Sequence, residues 1–158
     1  MKLCTEILTH LSLYKKAYHA VFLPVCTKYS LTQIEADILL FLNNNPEYNT
    51  ATSISSICGL SKPNISTALE RLRQRNLLLV EKDANSRRTN RLTLLEEGEH
   101  IAEELRECQK DYFSCMLYGI PDDTLQTVLN FFQQTNENIS HIIEQEKQDK
   151  KGGNRNVV

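Results

Sequence analysis

The residues of this chain best suited to chemistry cluster between positions 61 and 88. Ser61, Lys62, Asn64, Thr67 and Arg71 share a short polar stretch, and Asn85, Arg87 and Arg88 follow it. Hydroxyl and amide side chains beside cationic forks are groups that hydrogen-bond base edges and phosphates; they break no bonds by themselves. Groups that would do covalent work are missing from the pattern. The chain has no Gly-rich phosphate loop and no Gly-x-Ser-x-Gly elbow, so no enzyme is expected. His10, His19, His100 and His141 form no His-x3-His pair and have no cysteine at ligand spacing, so neither a metal nor another cofactor is expected.

The elements that must position these residues can be read on either side of them. Thr50 to Cys58 is a short helix ended by Gly59, where a helix C-terminus needs positive φ. Ser61 caps the next helix, with Pro63 in its first turn, where the missing N–H is harmless. Ile65, Leu69 and Leu72 then recur at spacings of four and three, with Ala68 beside them, which buries one face and presents Lys62, Asn64, Thr67, Arg71 and Gln74 on the other. Asn76-Leu77-Leu78 ends the helix and starts a strand. Asp83 to Arg88 forms a turn, and a second strand through Leu92 and Leu94 leads into a helix near Gly98. Helix, turn, helix and a two-stranded wing predict a mainly α fold with a small β-wing, a winged helix-turn-helix.

The order Asn76, Asp83, Arg87-Arg88, Leu92-Thr93-Leu94 and Gly98 resembles the signature of the MarR family of bacterial transcription regulators. Asn76 stands where the family pattern has Gly, Ser86 where it has Asp, and Leu95 where it has Thr. The resemblance implies a dimeric, sequence-specific DNA-binding regulator, a repressor acting at a palindromic operator in double-stranded DNA. It implies that Arg88 enters the minor groove, with Arg87 against phosphate. It also implies relief by a small apolar or phenolic ligand held between dimerisation helices and winged unit, for which Tyr14, Tyr18 and His19 are the candidates.

Long apolar stripes flank the winged unit. Residues 3–28 read as a helix carrying Ile7, Leu11, Tyr14, Tyr18, Val21 and Val25, with Pro24 kinking its last turn. Thr32-Gln33-Ile34-Glu35 is a capping box, starting a helix with Ile38, Leu39 and Leu42 that stops at Asn43-Asn44-Asn45-Pro46. From Glu96 to about Leu117, Ile101, Leu105, Cys108, Tyr112 and Cys115 form one stripe; after Gly119-Ile120-Pro121, Leu125, Val128, Phe132, Ile139 and Ile142 form another. One copy of the chain offers too little surface to bury these stripes, which predicts a homodimer. The expected divisions are a dimerisation helix (1–30), the winged unit (31–95), C-terminal dimerisation helices (96–148) and a disordered tail (149–158).

Charge divides the chain in the same way. Residues 62–91 carry eight basic and three acidic groups, and residues 95–150 four basic and thirteen acidic, within a total of −2. Phosphate contacts depend on charge within a Debye length of about 8 Å, so a basic head on an acidic body suffices for DNA. With no signal segment and no apolar run of membrane-spanning length, a cytoplasmic protein without membrane contact is expected. Five unpaired cysteines suit a reducing compartment. Cys58 is expected in the core, and Cys108 and Cys115 at the dimer core. Two alternatives remain: a redox sensor using Cys4 or Cys26, and a winged-helix adaptor that binds protein. Arg87, Arg88 and Arg91 at the wing count against the adaptor.

Overall fold

The capping box forms as its spacing predicts. Thr32 Oγ1 accepts from the Glu35 N–H (3.3 Å), and Glu35 Oε2 accepts from the Thr32 N–H (2.7 Å). A computed structural model describes residues 2–83 and 86–152; for residues 3, 4, 86–88 and 147–152 it describes the backbone alone. In chain order the elements are α1 (Lys2–Lys28), α2 (Gln33–Asn44), a 3-10 turn (Pro46–Tyr48), α3 (Ala51–Cys58), α4 (Lys62–Gln74), β1 (Leu78–Asp83), β2 (Ser86–Leu94), α5 (Glu96–Met116) and α6 (Asp122–Gly152). They fall into two units, residues 1–116 and 117–158.

In the first unit α2 is the central element. Its amphipathic stripe of Ile38, Leu39 and Leu42 widens to include Leu40 and Phe41, and all five are buried. A helix apolar on every side must be enclosed by neighbours. Here α1, α4, α5 and β2 pack around it. Phe22 and Val25 of α1, Ile54 of α3, Ile65 and Leu72 of α4, Leu78 and Leu92 of the wing, and Ile101 and Leu105 of α5 complete one core. The hairpin pairs Leu78 with Leu94, Val80 with Leu92 and Glu81 with Arg91, so alternate residues of each strand face inward. Its ladder shifts register between Lys82 and Asp83 and pairs Asp83 with Ser86. The turn expected over six residues is therefore tighter, and Arg87 and Arg88 belong to β2.

Other local expectations divide. Gly59 (φ 66°) and Asn76 (φ 56°) both adopt the left-handed conformation, as the ends of α3 and α4 require. Ser61 occupies the N-cap of α4 but makes no side-chain capping bond; its carbonyl accepts from the Ile65 N–H (3.0 Å). With Pro63 in the first turn, one of the N–H groups a cap would satisfy does not exist. Cys58, expected in the core, is exposed, and Cys115, expected at the dimer core, is exposed in the single chain. Cys58 is the last residue of its helix, beyond the buried Ile54 turn. Cys115 lies beyond the point where the α5 stripe leaves the core at Leu105. Helix α1 is continuous through Pro24.

The second unit is dominated by α6. Asp123 Oδ1 accepts from the Thr124 N–H (2.6 Å), and the acidic first turn suits the positive end of the helix dipole. The helix continues through Gly152, past the division expected at 148, and the rest of the expected tail lies outside the described residues. Val128, Leu129, Phe131, Phe132, Ile139, Ile142 and Ile143 are exposed along it.

Gly98 makes the junction between wing and α5 possible. A Cβ there would lie 2.0 Å from the Leu77 carbonyl oxygen and 2.9 Å from its carbon, both backbone atoms. That oxygen also accepts from the Leu95 N–H (3.1 Å), so it cannot give way without breaking the strand-to-helix turn. Gly119 has open space around it and needs glycine only for its φ of 76°. Urea denaturation should therefore show Gly98→Ala losing about 3 kcal/mol or more, against about 1 kcal/mol for Gly119→Ala. Equal losses would contradict this account of the junction.

Candidate nucleic-acid interface

Burial sets the direction of α4. Ile65, Ala68 and Leu72 are buried, and each of the two larger side chains stabilises docking by about 1.5–3 kcal/mol. That leaves Ser61, Lys62, Asn64, Thr67 and Arg71 exposed, all in the orientation expected from their spacing. The turn before the helix is held by Ser55 Oγ, which donates to the Leu60 carbonyl (2.9 Å). Thr67 Oγ1 donates to the Pro63 carbonyl (3.1 Å), so outward it presents a methyl group and an acceptor. The Arg71 guanidinium lies 3.9 Å from buried Glu35, which steadies it without enclosing it. The side chains of Asn85, Arg87 and Arg88 lie outside the described residues.

Braces fix the wing and the C-terminal end of α4. At the wing, Arg91 Nε donates to the Asp83 carboxylate and Arg91 Nη1 to Asn49 Oδ1 (2.8 Å), while the Leu92 N–H donates to the Asn49 carbonyl (2.9 Å). Asn49 thus clamps β2 to the segment that enters α3. Arg91, counted as a wing-tip base, is instead a strut that ties the wing to Asn49. At the far end, Arg75 donates to the Tyr29 and Ser30 carbonyls (2.7 and 3.2 Å), joining α4 to the C-terminus of α1. Lys28 and Tyr29 there donate to Glu104 of α5 (2.8 and 2.9 Å). Those bonds hold the Glu104 carboxyl below its ordinary range and push Lys28 up to about 12.

Several basic residues thus have structural work. Arg73 makes a bidentate contact with Glu70 (3.0 and 2.8 Å), a pair its i, i+3 spacing announces, and the contact holds the Glu70 carboxyl low. The local excess of positive charge remains, but its mobile share is smaller than a count of residues suggests. Lys62 and Lys82 are exposed. Between the start of α3, α4 and the wing runs a cleft of about 580 Å³, lined in part by Thr50, Thr52, Ser66, Arg73, Thr89 and Asn90. Thr52, Ser66 and Asn90 carried no periodic signal, because the hairpin and the helix turn bring them together.

A second concavity, of about 310 Å³, opens between α1, α2, the end of α3 and α5. Tyr18 lines it; Tyr14 and His19 do not. Tyr14 is half exposed and offers its carbonyl to the Tyr112 hydroxyl (3.4 Å), and His19 is exposed next to Tyr18. Asp37, Asn44, Asn45, Cys58 and Gln109 complete the polar lining, none of them anticipated as ligand contacts. Burial pushes the Tyr18 phenol up to about 12, with the Asp37 charge adding to it and a hydrogen bond from Gln109 opposing it. Burial likewise raises the Cys26, Cys58 and Cys108 thiols and the Asp37 carboxyl. Among the described residues no group of three His, Cys, Asp or Glu side chains could hold a metal ion.

Residues 29–89 match the sequence model of the MarR family. Most of the chain also resembles solved structures. One is a candidate MarR family transcriptional regulator from Listeria monocytogenes, complexed with 26mer DNA (14% identity, 89% of this chain and 93% of that one, TM-score 0.76). Another is a MarR transcriptional regulator from Methanosarcina mazei Go1 (16% identity, 90% and 99%, TM-score 0.68). A third is a MarR family regulator from Rhodococcus sp. RHA1 (20% identity, 87% and 94%, TM-score 0.63). At these identities the likeness establishes the fold.

The Arg91 strut can be tested alone. Arg91→Met should cost about 1 kcal/mol, as expected for a partly exposed ion pair. It should also speed hydrogen exchange at the Leu92 amide while leaving the α5 core amides unchanged. An unaltered Leu92 amide would mean that Arg91 does not brace the wing.

Proposed function

We infer that this chain, whose residues 29–89 form a winged helix-turn-helix of the MarR family, is a sequence-specific DNA-binding transcription regulator, a repressor that works as a homodimer. It is a regulator and not an enzyme. The observation that carries the reading is the exposed face of α4, where Lys62, Asn64, Thr67 and Arg71 project from a helix whose entering turn is held by Ser55 and whose far end is held by Arg75. Short polar groups near the N-terminus of a rigid helix are what major-groove recognition needs.

Two recognition helices must lie about 34 Å apart to reach successive major grooves, a distance a symmetric pair of chains can set. Apolar side chains left exposed on α1 (Ile7, Leu8, Leu11) and on α6 (Leu129, Phe132, Ile139) support such pairing. The cavity lined by Tyr18 supports relief by a small ligand, since it adjoins both α1 and the end of α3. Arg88 is assigned to the minor groove and Arg87 with Asn85 to the neighbouring backbone. No helix among the described residues is long and apolar enough to cross a membrane, and we assign the protein to the cytoplasm. The redox alternative loses ground at Cys26, because a sensing thiol needs a depressed pKa and Cys26 is buried with its thiol pushed up; the Cys4 side chain lies outside the described residues.

Binding measured by fluorescence anisotropy at several salt concentrations separates the roles. Lys62→Ala should weaken all duplexes alike and lower the salt slope by about one unit. Asn64→Ala should cost about 1–3 kcal/mol on the preferred duplex and alter which bases are preferred. Phe132→Glu together with Ile139→Glu should give monomers that have lost specific binding. If all these variants bind like the wild type, the proposed reading face and the dimer are both wrong.

A further inference from the structure

The cavity beside Tyr18 carries one formal charge among its lining residues, that of Asp37; its other polar groups, Tyr18, Asn44, Asn45 and Gln109, are neutral. We propose that this cavity takes an organic cation with an aromatic body, its ammonium set against the Asp37 carboxylate. The inference rests on the ligand-relief reading above and replaces the phenolic class that family resemblance suggests.

Asp37 is half-buried and spends one oxygen on the Gln33 amide (2.8 Å), which leaves further lone pairs for a donor. Its field reaches the groups around it, adding charge repulsion to the effect of burial in raising the Tyr18, Cys26 and Cys58 groups. Any anion entering the cavity meets the same repulsion. The Asp37 carboxyl is itself pushed up by burial, against partial relief from Gln33, His19 and Lys15. Lys15 and His19 are exposed on α1 and stand outside the lining, where solvent screens them. A bound ammonium supplies the compensation the carboxylate lacks. Buried Leu40 and Phe41 give the apolar wall, and about 310 Å³ accommodates one or two fused rings.

Calorimetry on the full chain with three similar probes tests this: 1-naphthylmethylammonium, 1-naphthylmethanol and 1-naphthoate. The ammonium should bind about tenfold or more tighter than the alcohol, and naphthoate most weakly. Asp37→Asn, which keeps an oxygen for Gln33, should bring the ammonium down to the alcohol's affinity. In the wild type, where folding is not at issue, the ammonium should slow alkylation of exposed Cys58 by iodoacetamide, and naphthoate should not. Equal affinity for all three probes, binding of none, or a preference for the cation that survives Asp37→Asn would overturn the proposal. A parallel DNA titration separates it from its premise. An ammonium that binds through Asp37 yet leaves DNA affinity unchanged supports the ligand class and removes the ligand-relief reading.

Discussion

Burial of α2 on all sides is the constraint on which the first unit depends. Five successive apolar residues, Ile38 to Leu42, cannot share one face of a helix, so α1, α4, α5 and β2 must each close over part of it. Helices α4 and α1 therefore pack on one rigid rod, and α4 cannot turn without disturbing contacts that α1 and α5 also use. Glu35 shows the same coupling in polar form. It is buried, accepts from the start of its own helix, and faces Arg71 of the reading surface.

Around that rod the basic residues divide into struts and readers. Arg91 ties the wing to Asn49, Arg75 hangs the end of α4 from the end of α1, and Arg73 is held by Glu70. These cations cost the exposed face of α4, proposed to read DNA, some of its charge and give it rigidity in return. A recognition surface gains from that exchange, because base readout depends on placing a few polar groups accurately, whereas phosphate attraction tolerates looser geometry.

Much of this was legible in the residues. Periodicity separated the buried and exposed faces of α4, and the conformational demands at Gly59 and Asn76 marked both of its neighbouring turns. What periodicity cannot express is contact between distant segments. Gly98 is required by a backbone oxygen twenty-one residues earlier, Arg91 by Asn49, and Arg75 by two carbonyls of α1. The cavity is the clearest case. Tyr14, Tyr18 and His19 were chosen from one helix because they share it, yet only Tyr18 faces the cavity, and Asp37 and Gln109 arrive from α2 and α5. Cys58 was judged by its place in a motif, and its position on the last turn of a short helix exposes it.

Selection of bound duplexes from a random pool by the intact protein tests the central claim, that the face of α4 reads DNA as one of a symmetric pair. The account predicts enrichment of a palindrome whose half-site centres lie roughly ten base pairs apart, protected by two chains per duplex. Enrichment of no sequence, or of a single asymmetric site bound by one chain, would contradict it.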